Sequence, residues 1–281
     1  MVLPFLLTSA MLLFDRAVRR LGRAVLPSAV APREVLLLAA ISVLTHPILD
    51  SLNTYGVRWL MPFRGDWFFG DTLFIVDPWL WLVLGLGVVA SRARRGIRGY
   101  KVVATRPARI ALVVAAAYVA GMVISGAAAR RIARRELEAL GGQPVDRLMV
   151  GPRPVTPLVR SVVALQDGSY RVGSFRWLRR PHVDSLHAFP EPRPDDPAVA
   201  AAAATPLGQR FLGWARFPIV QVEANPNGGS LVHLIDLRYA DRPGAGFGSV
   251  TVAVVTPRTA SAPRPDTAAP SPPAGPAART R

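Results

Sequence analysis

THPILDSLNTYGVRWLMPFRGDWFFGDTLFIVDPWLW, residues 45–81, decides how this chain folds. It begins inside one apolar segment, leaves through a loop and re-enters a second. On the way it carries a histidine and several aspartates to depths where lipid or lipid headgroups are expected. An ionisable side chain there is costly unless partnered, and by default it marks a functional site.

Working outward, residues 34–52 and 72–90 are the second and third of four expected membrane spans, and residues 108–129 are the fourth. Each has about 19 to 22 residues, enough for a hydrocarbon core of roughly 30 Å. The first, residues 1–14, is short. Its arginines (Arg16, Arg19, Arg20, Arg23) follow the apolar run, the reverse of a signal peptide. It reads as the second half of a helix whose beginning is missing, so the chain is expected to be truncated at its N-terminus; a short re-entrant or tilted helix is the other reading. The fourth span is rich in Ala, Val and Gly, as close helix packing requires. Residues 130–140 should continue it with a solvated charged face, and Gly141-Gly142 should end it.

The chain is 51% hydrophobic with mean hydropathy +0.28, and 34 Lys+Arg against 18 Asp+Glu give a net charge of +16. The arginines stand in short runs beside apolar segments, the pattern of positive-inside anchoring and not of nucleic-acid binding. Aromatic–glycine motifs of an RNA-binding sheet are missing, so no nucleic-acid partner is expected. There is no cysteine, which excludes disulfides and thiolate metal sites. The basic loops, residues 16–33 and 92–109, belong on the cytoplasmic side, and the balanced loop 53–71 outside. The C-terminal half then lies outside as well, although Arg130, Arg131, Arg134 and Arg135 after the fourth span pull against that orientation.

From Val145 the hydrophobic period changes to two. Residues 148–151, 160–166, 169–175, 219–223, 230–239 and 249–255 read as strands, and Asp167-Gly168 as a tight type I′ turn. Residues 182–196 read as a Pro-rich connection, and 198–215 as a helix that Pro206 must start or kink. The fold class is thus a helical polytopic membrane bundle (1–140), a small α+β domain with a largely antiparallel sheet (141–256) and a disordered Pro/Ala-rich tail (257–281).

His46 and Asp50 are four residues apart, on one face of a helix, the spacing used to present two metal ligands. Histidine with carboxylate suits zinc, manganese or iron. The bland reading is a hydrogen-bonded pair between helices, and Pro47 could kink the two apart. Asp77 in FIVDPWLW either faces a site within the bundle or caps a helix that starts at Pro78. Asp71, Asn53, Tyr55 and Arg58 could line the same pocket. Trp59, Trp67, Phe68, Phe69, Trp79 and Trp81 make an interfacial belt, or more sharply a platform for lipid headgroups. His182, His187 and His233 read as structural or solvated.

The run THPILDSLNTYGVRWLMPF, followed by FFGDTLFIVDPWLWLVL, resembles the core of the bacterial membrane-bound metal-dependent hydrolase family, inner-membrane proteins some of whose members are regulated by LexA, the SOS repressor. The likeness extends downstream through VGPRPVTPLVRSVV and RFLGWARFPIV, covering residues 12–255. It marks His46, Asp50, Asn53, Tyr55, Gly56, Asp71 and Asp77. The family's upstream H-R-x-x-T-H-S motif is not within this chain. The resemblance implies a multi-pass protein of the bacterial inner membrane with a divalent metal, zinc or manganese, on His46 and Asp50. Asp71 or Asp77 would be the catalytic candidates, and a metal-activated water would attack an ester or phosphoester, lipid-linked or from the envelope. The alternative is a non-enzymatic anchor that presents the α+β domain to an envelope component or partner.

Overall fold

A computed structural model of the chain describes residues 2–22, 31–97, 105–192, 195–244 and 246–255, with 94–97 by backbone alone. The tail expected over 257–281 lies outside the described residues, as do 23–30 and 98–104 of the two basic loops.

Four helices come first: α1 (Leu3–Arg20), α2 (Pro32–Asp50), α3 (Pro78–Ile97) and α4 (Thr105–Gly141). α1 packs on α2, and α3 on α4. Proline at the start of α2 removes an N–H that has no intrahelical acceptor anyway, and the helix runs through Pro47 to Asp50. Pro32–Asp50 and Thr105–Gly141 are long and apolar enough to cross a membrane, and Pro78–Ala93 is a shorter apolar helix.

The third helix begins later than the span read from residue 72 and takes the other start the sequence left open, at Asp77-Pro78. The N–H groups of Thr72 and Leu73 turn back to the carbonyl of Leu52, at 2.8 and 2.9 Å. Asp77 Oδ1 then accepts from the N–H groups of Trp79 (3.0 Å) and Leu80 (3.2 Å), so the helix starts at Pro78 with Asp77 as its cap.

α4 joins the two halves of the molecule. At 1.5 Å per residue its 37 residues extend about 55 Å, well beyond a hydrocarbon core of roughly 30 Å. Its first half packs on α3, where Ala111 lies against Gly87. Its second half, through Ala129, Ala133 and Leu137, packs under a β-sheet. Gly142 ends it at φ 66°, its N–H bonded to the Glu138 carbonyl at 2.9 Å.

The C-terminal part has two antiparallel sheets where one was expected. The first is the meander β1 (Arg147–Pro152), β2 (Val159–Gln166), β3 (Ser169–Arg176) and β4 (His182–Pro190); after α5 (Pro197–Ala204) and α6 (Pro206–Leu212), the second is β5 (Pro218–Ala224), β6 (Ser230–Asp236) and β7 (Ser249–Val254). Strand alternation builds the layers. Val162 and Ala164 of β2 face α4, while Val163 and Leu165 face Phe217, Ile219 and Ile235 of the second sheet. α5 and α6 cover the far side, with Ala202 and Phe211 on Val232 and Leu234. Asp167 and Gly168, at φ 52° and 62°, make the expected turn between β2 and β3.

Two further elements differ from expectation. The Pro-rich connection over 182–196 holds β4, an edge strand paired with β3; prolines are tolerated there because an edge strand has a free side. The helix expected over 198–215 is two short helices. Thr205 is extended (φ −68°, ψ 152°), closing α5 and capping α6 through its Oγ1, because a residue before proline is driven out of the helical region.

Candidate functional site

The loop between α2 and α3 folds back on itself and is clamped against the C-terminal sheet domain. Asn53 starts the fold: its Oδ1 accepts from the N–H of Tyr55 at 2.7 Å, an Asx turn. Gly56 follows at φ 93°, where an added Cβ would stand 2.5 Å from the Phe69 ring, so only glycine fits. Val57 and Phe68 then pair as an antiparallel bridge.

Asp71 is the electrostatic centre. Its side chain is fully buried and is held by two arginines from different parts of the fold: Arg216 Nη1 donates to both its oxygens (3.1 and 2.9 Å), and Arg130 Nη2 of α4 to Oδ2 (3.1 Å). Arg160, wholly buried in β2, donates to the Asp71 carbonyl at 3.3 Å and to the Met122 carbonyl of α4 at 2.8 Å. The Arg160 guanidinium lies on α4 over Gly126, where a Cβ would come within 3.1 Å of Nη1. Burial first, and Arg130 second, lower the Arg160 pKa from its ordinary value.

A second ion pair continues the lattice. Arg238 and Asp236 meet at 2.7 Å, both side chains fully buried. Asp236 also accepts from the Arg216 N–H at 2.8 Å. Arg238 donates to the carbonyls of Thr54 (2.8 Å) and Trp214 (3.1 Å), fixing the loop to the second sheet. Its guanidinium lies 4.6 Å from the Trp214 ring and 5.1 Å from Phe69, and Arg216 is 4.7 Å from Phe69. Burial raises the neighbouring Tyr239 phenol above its ordinary range, so it stays neutral at physiological pH. Three indole N–H bonds complete the clamp: Trp67 to Gly213, Trp79 to Val155 and Trp214 to Tyr55.

Sequence reasoning missed Arg160, Asp236, Arg216 and Arg238. A signal existed for the first two. Arg160 is in phase with buried Val162 and Ala164, and Asp236 with Val232 and Leu234. A charge on the inward row of a strand must be paired.

His46 and Asp50 do converge in spite of Pro47, Nε2 to Oδ2 at 3.3 Å, but their side chains are 80% and 45% exposed. They lie on α2, apart from the lattice around Asp71. Asp77, besides capping α3, accepts from the Tyr118 hydroxyl at 3.0 Å. Asp77→Ala is therefore expected to lower stability by about 1 to 2 kcal/mol, a lost cap together with an orphaned phenol, measurable as a lower melting temperature in detergent. Among the described residues no group of three or more His, Cys, Asp or Glu side chains is gathered to hold a metal ion. His233 pairs with Thr251 at 2.8 Å, and His182 with the Arg180 carbonyl at 2.6 Å. An apolar groove of about 700 Å³ runs where α4 meets the first sheet, between Tyr118, Met122 and Ile124 on one side and Pro157, Leu158 and Trp177 on the other.

Residues 1–131 match the family model described as YdjM inner membrane protein. With its apolar helices, the chain is a membrane protein. No curated protein and no solved structure gives a significant match. The matched region holds the four helices up to Arg131 and the whole of the 45–81 loop; Arg216 and Arg238, which grip that loop, come from beyond it.

Proposed function

We propose that this is a multi-pass inner-membrane anchor that holds an extramembrane α+β domain in fixed attitude at the bilayer surface, where the domain binds a lipid-linked or other envelope component. The observation that carries this reading is Asp71, buried and bonded to arginines of both α4 and the extramembrane domain. Four residues of the hydrolase-like motif have structural work that accounts for them: Asn53 turns the chain, Gly56 passes under Phe69, Asp71 binds the arginines and Asp77 caps α3. The apolar groove between α4 and the first sheet suits an acyl or polyprenyl chain arriving from the membrane.

One observation favours metal-assisted hydrolysis as a second reading. Among the described residues the His46 and Asp50 side chains are paired with each other alone, and an exposed pair adds little to stability, about 0 to 1 kcal/mol. A divalent zinc or manganese ion would take the imidazole Nε2 and a carboxylate oxygen, and its other ligands would come from outside this pair. Chemistry supplied by the metal would be activation of water toward an ester or phosphoester.

Metal analysis of the purified full chain separates the two readings. The anchor reading expects the same trace of zinc and manganese in wild type and in His46→Ala. About one equivalent per chain in wild type, lost in His46→Ala, establishes the metal site and overturns the purely anchoring function.

A further inference from the structure

The tip of the 45–81 loop is the sequence Trp59-Leu60-Met61-Pro62-Phe63, a run of turns flanked by Arg58 and Arg64. Its large apolar side chains are uncovered, and Phe63 is 91% exposed, more than any other large apolar residue among those described. A solvated tip has no reason to carry four such side chains within five positions; contiguous exposed apolar surface marks an interaction site.

Position identifies the partner. Trp59 Nε1 donates to Ser51 Oγ at 2.9 Å, and Ser51 is the residue that ends α2. The tip is thereby pinned at the level where α2 leaves its apolar segment. The other face of the loop is already taken: Trp67 bonds to Gly213, and Tyr55 packs on Trp214. The charges have the matching order. Arg58 lies 4.3 Å from the Trp67 ring and Arg64 pairs with Asp66 at 2.7 Å, so both cations are held to the returning arm of the loop that follows the apolar tip. An apolar point backed by aromatic and cationic groups is the arrangement that suits the boundary between acyl chains and headgroups.

We propose that residues 59–63 are a finger that inserts into the leaflet beside α2, with Phe63 and Met61 among the acyl chains and Arg58 and Arg64 at phosphate level. The finger fixes the depth and tilt of the loop, and through Asp71 and Thr54 it sets the height of the extramembrane domain above the bilayer. The inference rests on α2 crossing the membrane.

The absence of cysteine from the chain makes the test direct. Phe63→Cys, Leu38→Cys on α2 and Asn227→Cys in the β5–β6 turn are each labelled with an environment-sensitive fluorophore. The full-length protein is then placed in vesicles of phosphatidylethanolamine and phosphatidylglycerol. The label at 63 is expected to emit to the blue of that at 227. It should be quenched several-fold more strongly by nitroxide on lipid acyl chains and be protected from aqueous iodide, as the label at 38 is. Lipid quenching at 38 with iodide-accessible label at 63 overturns the finger alone. Failure of lipid quenching at 38 overturns the membrane crossing of α2 on which it rests. Oxidation of unlabelled Phe63→Cys to a disulfide dimer, with no lipid quenching, assigns the tip to a second copy of the chain and also overturns the proposal.

Discussion

Asp71→Ala is expected to lower the stability of the detergent-purified protein by about 3 kcal/mol, the low end of the range for removing one partner from a buried ion pair. The low end applies because Arg130 and Arg216 are partly exposed, 42% and 21%, and can take up water when the carboxylate is gone. Thermal unfolding followed by tryptophan fluorescence reads the loss. Asp71→Asn should lose nearly as much, since an amide keeps the shape but not the charge. A catalytic Asp71 predicts the opposite pattern, a normal melting temperature in Asp71→Asn. A double variant with Arg216→Met should lose less than the sum of the two single changes, because each single change already abolishes their shared bond.

The second large effect is at Arg238. Arg238→Ala leaves the Asp236 carboxylate buried without its guanidinium and takes a donor from the carbonyls of Thr54 and Trp214. About 3 to 5 kcal/mol of destabilisation is expected. The loss should be local as well as global, because the Arg238 bond to Thr54 holds the loop to the second sheet. Trypsin should then cut after Arg58 and Arg64 faster than in wild type at a temperature where both proteins remain folded. Unchanged cleavage together with an unchanged melting curve would show that the aromatic contacts of Phe69 and Trp214 suffice to hold the loop.

These two carboxylates show how far the sequence carries. The 45–81 stretch was legible as a loop between apolar helices, with helical spacing bringing His46 and Asp50 together, and the structure has them 3.3 Å apart. Asp77 was legible as a choice between cap and site. The chain settles on the cap because Asp77 Oδ1 takes the N–H groups of Trp79 and Leu80 in the first turn, with Pro78 at the first helical position. The arginines after the fourth span looked like a violation of charge asymmetry. Two of them are occupied in the junction, Arg130 on Asp71 and Arg134 on the Val145 carbonyl.

What the sequence by itself determined is whatever depends on local period and local chemistry: apolar helices of membrane length, the Asp167-Gly168 turn and the alternation that gives each strand two faces. What only the tertiary structure decided is the partnership of charges far apart in the chain. Asp71 and Arg216 are separated by 145 positions, and Thr54 and Arg238 by 184. A buried charge announces that it needs a partner, because leaving it unpaired is costly, but its own neighbourhood does not say which opposite charge the fold will bring to it. That choice was made when α4 ran on past the apolar segment and laid the two sheets against the loop.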